Sequence, residues 1–181
     1  MTTSNDRMRG RGAIAAALFA ASCIAAVAIP AAARTHDVRA IMSSDGARVY
    51  FDPVLLRIAP GDTVRWIQVS GYHSVAAYHP TNGDRELRIP DGAQPWDSGV
   101  LLGEFPARGS TFEHTFTVPG VYDYFCQPHE AAGMVGRIVV GAGAPRAFGH
   151  SPERHWKAVP EAARETLRAA AAASGEPRSV R

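Results

Sequence analysis

Cys126, His129 and Met134 follow one another at intervals of three and five residues in the stretch YDYFCQPHEAAGMVGRIVV, residues 122–140. Thiolate, imidazole and thioether are soft to borderline donors, a set suited to a transition metal. The chain's other cysteine is Cys23, within the first 33 residues. Oxidising compartments usually contain paired cysteines. A leftover thiol in such a compartment needs another reason: intermolecular pairing, inert burial, nucleophilic chemistry or metal ligation. The flanking segments favour ligation. VYDYF (121–125) reads as a strand running into Cys126, and MVGRIVV (134–140) as a strand beginning at Met134. A loop between adjacent strands brings its ends together, so the thiol and the thioether lie close. His129 sits in the same turn, which Pro128 stiffens.

One cysteine with histidine ligands and a weak axial methionine is the pattern of a blue-copper site. It needs a second imidazole. His73 is the best candidate, because it opens a strand after the VSGY turn and can come from a neighbouring loop at the same end. Its chief rival is His79, six residues on. In an extended strand the two stand about 20 Å apart, so they cannot share one metal. His79 precedes Pro80 and reads as a loop residue; His114 alternates with Phe112 and Phe116 and reads as a core histidine. A second metal site built from His36, His150 and His155 is disfavoured. A nucleophilic Cys–His pair is disfavoured too. No clear third group or oxyanion hole accompanies it, and Met134 would go unexplained.

The elements that must position these donors read as strands and turns. VYFDPVLLRI (49–58) alternates apolar and polar residues before the turn APGD (59–62), and TVRWIQV (63–69) places Val64, Trp66 and Gln68 on one face. HSVAAY (73–78), SGVLL (98–102), TFEHTFTV (111–118), VYDYF and MVGRIVV follow. Loops are marked by NGD and PDGAQP between 81 and 95. This spacing predicts about eight short strands without a helix, and so an all-β sandwich or barrel.

With those residues in place, the chain resembles the cupredoxins, the type 1 blue copper proteins of the plastocyanin, pseudoazurin and halocyanin kind. C-x-x-H-x-x-x-x-M after YxYFC is similar to their ligand loop. FDPVLLRIAPGDTVRW (51–66) resembles their hairpin pattern F-x-P-x-x-L-x-V-x-x-G-D-x-V-x-W, and FTVPGVYDYFCQPHEAAGMVGRIVV (116–140) is very close to the halocyanin-like members. The resemblance covers residues 37–140. It implies a cupredoxin-like Greek-key β-sandwich with one type 1 copper ion at one end. Cys126, His73 and His129 would form the trigonal set and Met134 the axial contact. It further implies that the edge of His129 reaches the surface, with Pro128, Ala131, Ala132 and Gly133 as a small apolar face for transient docking of redox partners. Two positions depart from the family. Tyr72-His73-Ser74 stands where Pro-His-Asn is usual, and Gln127 follows the cysteine where Ser or Thr is common. Ser74 with Gln127 is the pair left to tie the two ligand loops together. Residues 79–97 are longer than a minimal family domain needs, enough to overhang the copper end. The function so implied is single-electron transfer by an exported copper protein that is not an enzyme. A carrier delivering copper to another exported protein is the alternative.

The ends of the chain add compartment and charge. Arg7, Arg9 and Arg11 precede the apolar run from Ala13 to Ala33, and Pro30 with Ala31-Ala32-Ala33 resembles a secretory cleavage site. Residues 1–33 are thus expected to be a signal peptide, 34–141 the copper-binding domain, and 142–181 a linker with a helical tail; the protein is then periplasmic or extracellular. A lipid anchor at Cys23, after the poor lipobox AASC, and an uncleaved span are the other readings, and membrane association follows only from these. Residues 34–141 carry 9 basic and 12 acidic side chains, against 7 and 4 in 142–181. That charge is uneven, but the net charge of the whole chain, +2, points to no nucleic-acid partner. In the tail, VPEAARETLRAAAAASG (159–175) reads as a helix, with Pro160 in its first turn and Gly175 at its stop. Its apolar side is mostly alanine, so it is expected to pack loosely.

Overall fold

The computed structural model describes residues 32–102, 109–141 and 157–174. These contain nine strands: β1 (Thr35–Met42), β2 (Val49–Asp52), β3 (Leu55–Ile58), β4 (Thr63–Gln68), β5 (Tyr72–Ala77), β6 (Asp97–Leu102), β7 (Thr111–Thr115), β8 (Gly120–Phe125) and β9 (Val135–Val140). A 3-10 helix spans Gln127–Ala132, and one α-helix, α1, spans Glu161–Ser174. The strands form a four-stranded sheet, ordered β2-β1-β4-β7, and a five-stranded sheet, ordered β3-β9-β8-β5-β6. β1 with β4 and β3 with β9 are parallel pairs; the other pairs are antiparallel. The signal-peptide and cleavage readings, Cys23, His150 and His155 lie outside the described residues.

The expected strand 49–58 is two strands in two different sheets. The division falls at Pro53, whose peptide bond with Asp52 is cis. A proline offers no N–H to a sheet ladder and fixes its own φ, so a strand stops there. β2 then pairs with β1, and β3 with β9. Alternation holds in β4, where Val64, Trp66 and Gln68 are the buried positions.

The core lies between the sheets. Val38, Ala40, Val64 and Trp66 from one meet Val75, Ala77, Tyr122, Tyr124 and Ile138 from the other. Trp66 sits at its centre, with ring centroids 5.4 Å from Tyr124, 5.8 Å from Phe112 and 5.9 Å from Trp96. His114 is half-buried and stacks on Trp96 at 4.7 Å.

The five-stranded sheet is covered on its second face as well. Ala76, Tyr78, Phe125 and Val135 point away from the first core and pack against Val159, Ala163 and Leu167. That explains why every residue of β8 and β9 is buried. The expectation of a loosely packed tail helix is therefore corrected: Ala163, Leu167 and Ala170 of α1 are at most 2% exposed. Small alanine side chains let the helix come close to the sheet, and one leucine and Val159 supply the larger contacts. Residues 79–97 meet the copper end through Arg85, which pairs with Glu130, and through Asp97, which accepts from Gln127 Nε2. Between these two residues they run beside β8: the Arg88 N–H donates to the Tyr78 carbonyl, Asp123 N–H donates to the Arg88 carbonyl, and Pro90 packs on Gly120 at the start of β8. Ile89 and Trp96 of this segment belong to the core, so its apolar residues, not its length, decide its course.

Candidate metal centre

Cys126 directly follows β8, His73 lies in β5, His129 lies in the 3-10 helix, and Met134 precedes β9. The backbone closes this loop on itself. Cys126 N–H donates to the Met134 carbonyl at 3.0 Å, His129 N–H to the Cys126 carbonyl at 3.1 Å, and Met134 N–H to the His129 carbonyl at 3.2 Å. Gly133, at φ 85°, ends the 3-10 helix in the left-handed region, a conformation glycine adopts without the Cβ penalty. The turn thus brings the two ends of the loop together, as its spacing predicts.

Cys126 Sγ stands 3.4 Å from His129 Nδ1 and 3.7 Å from His73 Nδ1. The three donor atoms lie within 4.8 Å of one another. Cys126, His73 and Met134 are fully buried and His129 is partly exposed. Met134 packs in the same apolar cluster as Cys126. His79 is not among these groups; its Nδ1 is paired with Thr81 Oγ1 at 2.8 Å.

The donors are oriented by groups behind them. His73 Nε2 is 2.8 Å from the Ser70 carbonyl oxygen. A carbonyl only accepts, so Nε2 carries the proton and Nδ1 presents its lone pair toward Cys126. Ser74 makes the tie expected of it: its Oγ accepts from Gln127 N–H at 2.8 Å, and its own N–H donates to Cys126 Sγ at 3.4 Å. Gln127 Nε2 also donates to Asp97 Oδ2 at 2.8 Å. Burial pushes the Cys126 thiol up, opposed by the N–H groups of Ser74 and His129. Burial lowers His73 and His129, which favours the neutral imidazole that a metal requires. Two neutral imidazoles, a thiol that gives up its proton to a metal, and a thioether fit a copper ion.

Several participants are not apparent from spacing. Tyr72, about half exposed, lies against His129 with ring centroids 5.1 Å apart. It adds a large apolar group to those predicted around the turn. Glu130 is buried, accepts from Tyr78 Oη at 2.8 Å and pairs with Arg85. A lone carboxylate in an otherwise small and apolar turn was the available signal for it.

Residues 38–141 match the family described as copper binding proteins, plastocyanin/azurin family. The chain is 37% identical over 118 residues to a plastocyanin of Synechococcus sp., covering 65% of this chain and 81% of that protein. It is 30% identical over 122 residues to the pseudoazurin of Paracoccus pantotrophus, covering 67% and 74% respectively. Among solved structures, native pseudoazurin from Hyphomicrobium denitrificans superposes with a TM-score of 0.54 at 20% identity, covering 77% of this chain and 97% of that one; this likeness concerns the fold. With the two-sheet architecture and the Cys–His–His cluster already in place, the matched span makes the chain a member of the plastocyanin/azurin family of copper-binding proteins.

Proposed function

We propose that this protein is an exported carrier of single electrons whose copper is held by His73, Cys126, His129 and Met134. The observation that carries the reading is the convergence of Cys126 Sγ and two imidazole Nδ1 atoms within 4.8 Å, with a buried methionine closing the same loop. A copper ion bound there supplies one-electron redox chemistry. Cys126 would provide the thiolate, His73 and His129 the imidazoles, and Met134 the thioether. Ser70 holds the tautomer of His73, and Ser74 holds the cysteine loop against β5. These fixed hydrogen bonds limit how far the donors move between oxidation states. Four protein donors leave no open position for a substrate, which agrees with a carrier and not with a catalyst.

His129 is the one donor that is not fully buried, which makes its edge the route for electrons. Tyr72, against the His129 ring, and Pro128, Ala131 and Ala132, in its turn, are exposed apolar residues. We assign them to transient docking of redox partners, the kind of contact that stays small. Residues 1–33 act as the export signal with cleavage after Ala33, and 34–141 with 142–181 form the mature protein. Among the described residues no helix is long and apolar enough to cross a membrane.

The test is titration of residues 34–181 with Cu(II), followed by visible absorption and EPR. One equivalent bound with an intense thiolate-to-copper band and narrow hyperfine splitting is the expected result. A colourless or weak complex overturns the electron-carrier reading in favour of the copper-delivery one.

A further inference from the structure

Glu130 has no part in the ligand set, yet it is the one acidic side chain of the ligand loop and only 3% exposed. Burying a carboxylate is costly unless it is paired and hydrogen-bonded. Its two oxygens reach different elements. Oε1 accepts from Tyr78 Oη at 2.8 Å, just beyond β5, and Oε2 pairs with Arg85 of the segment 79–97. The Arg85 guanidinium also lies over the Phe125 ring, 5.3 Å from its centroid, one residue before Cys126. Lys157, where the C-terminal segment begins its described course, forms a parallel bridge with Arg85 and donates its N–H to the Asp84 carbonyl at 2.9 Å. The same C-terminal segment returns to the loop through α1. The Thr166 hydroxyl is shared between the Ala162 carbonyl at 3.0 Å and the Gly133 carbonyl at 3.3 Å, and a Cβ on Gly133 would stand 3.3 Å from the Ala162 carbonyl oxygen.

We propose that Glu130 is a positioning residue for the metal centre. It fastens the turn carrying His129 to Tyr78 and Arg85, and so makes the C-terminal segment part of the scaffold that sets the ligand loop. The inference rests on the reading of His129 as a ligand. What Glu130 adds is rigidity at the least enclosed donor. Three backbone hydrogen bonds shape the turn at His129, Gly133 and Met134, and a short 3-10 turn holds its geometry poorly without outside support. Glu130 and α1 grip it at two points, at the middle of the 3-10 helix and at the glycine that ends it.

The experiment compares the mature chain with its Glu130→Ala, Glu130→Gln and Arg85→Met variants. Amide hydrogen exchange is read on the metal-free proteins, and EPR and visible spectra on the Cu(II)-loaded ones. In Glu130→Ala the amides of His129, Gly133 and Met134 exchange about tenfold or more faster, while those of β4 keep their rates. Glu130→Gln, which retains an acceptor for Tyr78, falls between the two. The hyperfine splitting and thiolate band shift in the same order. Arg85→Met removes the ion pair from another element and is read identically, which covers the case of an alanine variant that does not fold. Loop amides that keep parental rates in these variants, or amides that speed up equally in the loop and in β4, overturn the proposal. A parent chain lacking the thiolate band refutes the copper reading alone, and the exchange rates still decide whether Glu130 holds the turn.

Discussion

At the residue scale the centre is defined by which atom each side chain can offer. Ser74 does with a hydroxyl and a backbone N–H what holds the two loops together. In Ser74→Ala the Gln127 N–H loses its acceptor beside a buried thiol. The expected cost is about 1–3 kcal/mol in the metal-free protein, read by urea denaturation, with a shifted thiolate band once copper is added. Met134→Ala tests the axial assignment. Removing a fully buried methionine costs about 2–5 kcal/mol of stability. If the thioether contacts the metal, the variant also changes colour and reduction potential. Unchanged spectra with the same loss of stability would reduce Met134 to a packing residue.

At the scale of elements, the strands and the helix owe their places to the faces they bury. Leu167 is the largest side chain α1 sets into the sheet, and it is 2% exposed. Leu167→Ala is expected to lower stability by about 2–4 kcal/mol. A chemical-denaturation midpoint that hardly moves would mean that the helix undocks at little cost. β9 approaches β8 closely at Gly136, where an added Cβ would come within 2.3 Å of the Tyr124 ring and hydroxyl. Gly136→Ala therefore displaces a fully buried tyrosine of the core, and loss of near-ultraviolet circular dichroism on that substitution is the expected sign.

At the scale of the whole molecule, one buried carboxylate joins the beginning of the domain to the turn between β3 and β4. Asp62 accepts the Arg34 N–H at 2.9 Å, the Ala59 N–H at 3.0 Å and pairs with His36 Nε2 at 2.9 Å. The Arg34 N–H, then the His36 ring, hold its carboxyl well below the ordinary range, at about 2. A carboxyl depressed on folding stabilises the folded state fully above its unfolded value, near pH 4. That contribution is lost as pH falls from there toward 2. Asp62→Asn is expected to flatten this part of the acid-unfolding profile, measured by circular dichroism between pH 5 and pH 2 (an approximate window set by the two values). The contact also bears on processing. Cleavage after Ala33 would turn the Arg34 N–H into a free ammonium group in contact with Asp62. A chain beginning at Arg34 is then expected to melt higher than one extended by a few residues, and the difference should vanish in Asp62→Asn.

The local part of this protein is legible in its sequence. Donor types and their spacing from Cys126 to Met134 depend on a short turn between two strands, and a turn is set by its own residues. Alternation along 63–69 and the helix at 159–175, marked by Pro160 and Gly175, are local for the same reason. Tertiary structure alone decided the rest, because burial depends on what lies opposite. The break at Pro53 can be seen in the chain, but the transfer of β3 to the other sheet needed β9 as its partner. An alanine-rich helix looks unable to pack until it meets a sheet face of Ala76, Tyr78, Phe125 and Val135 that lets it approach closely. Glu130 is paired by Tyr78 and Arg85, both far from it in sequence. Those pairings are non-local, and no spacing rule carries them.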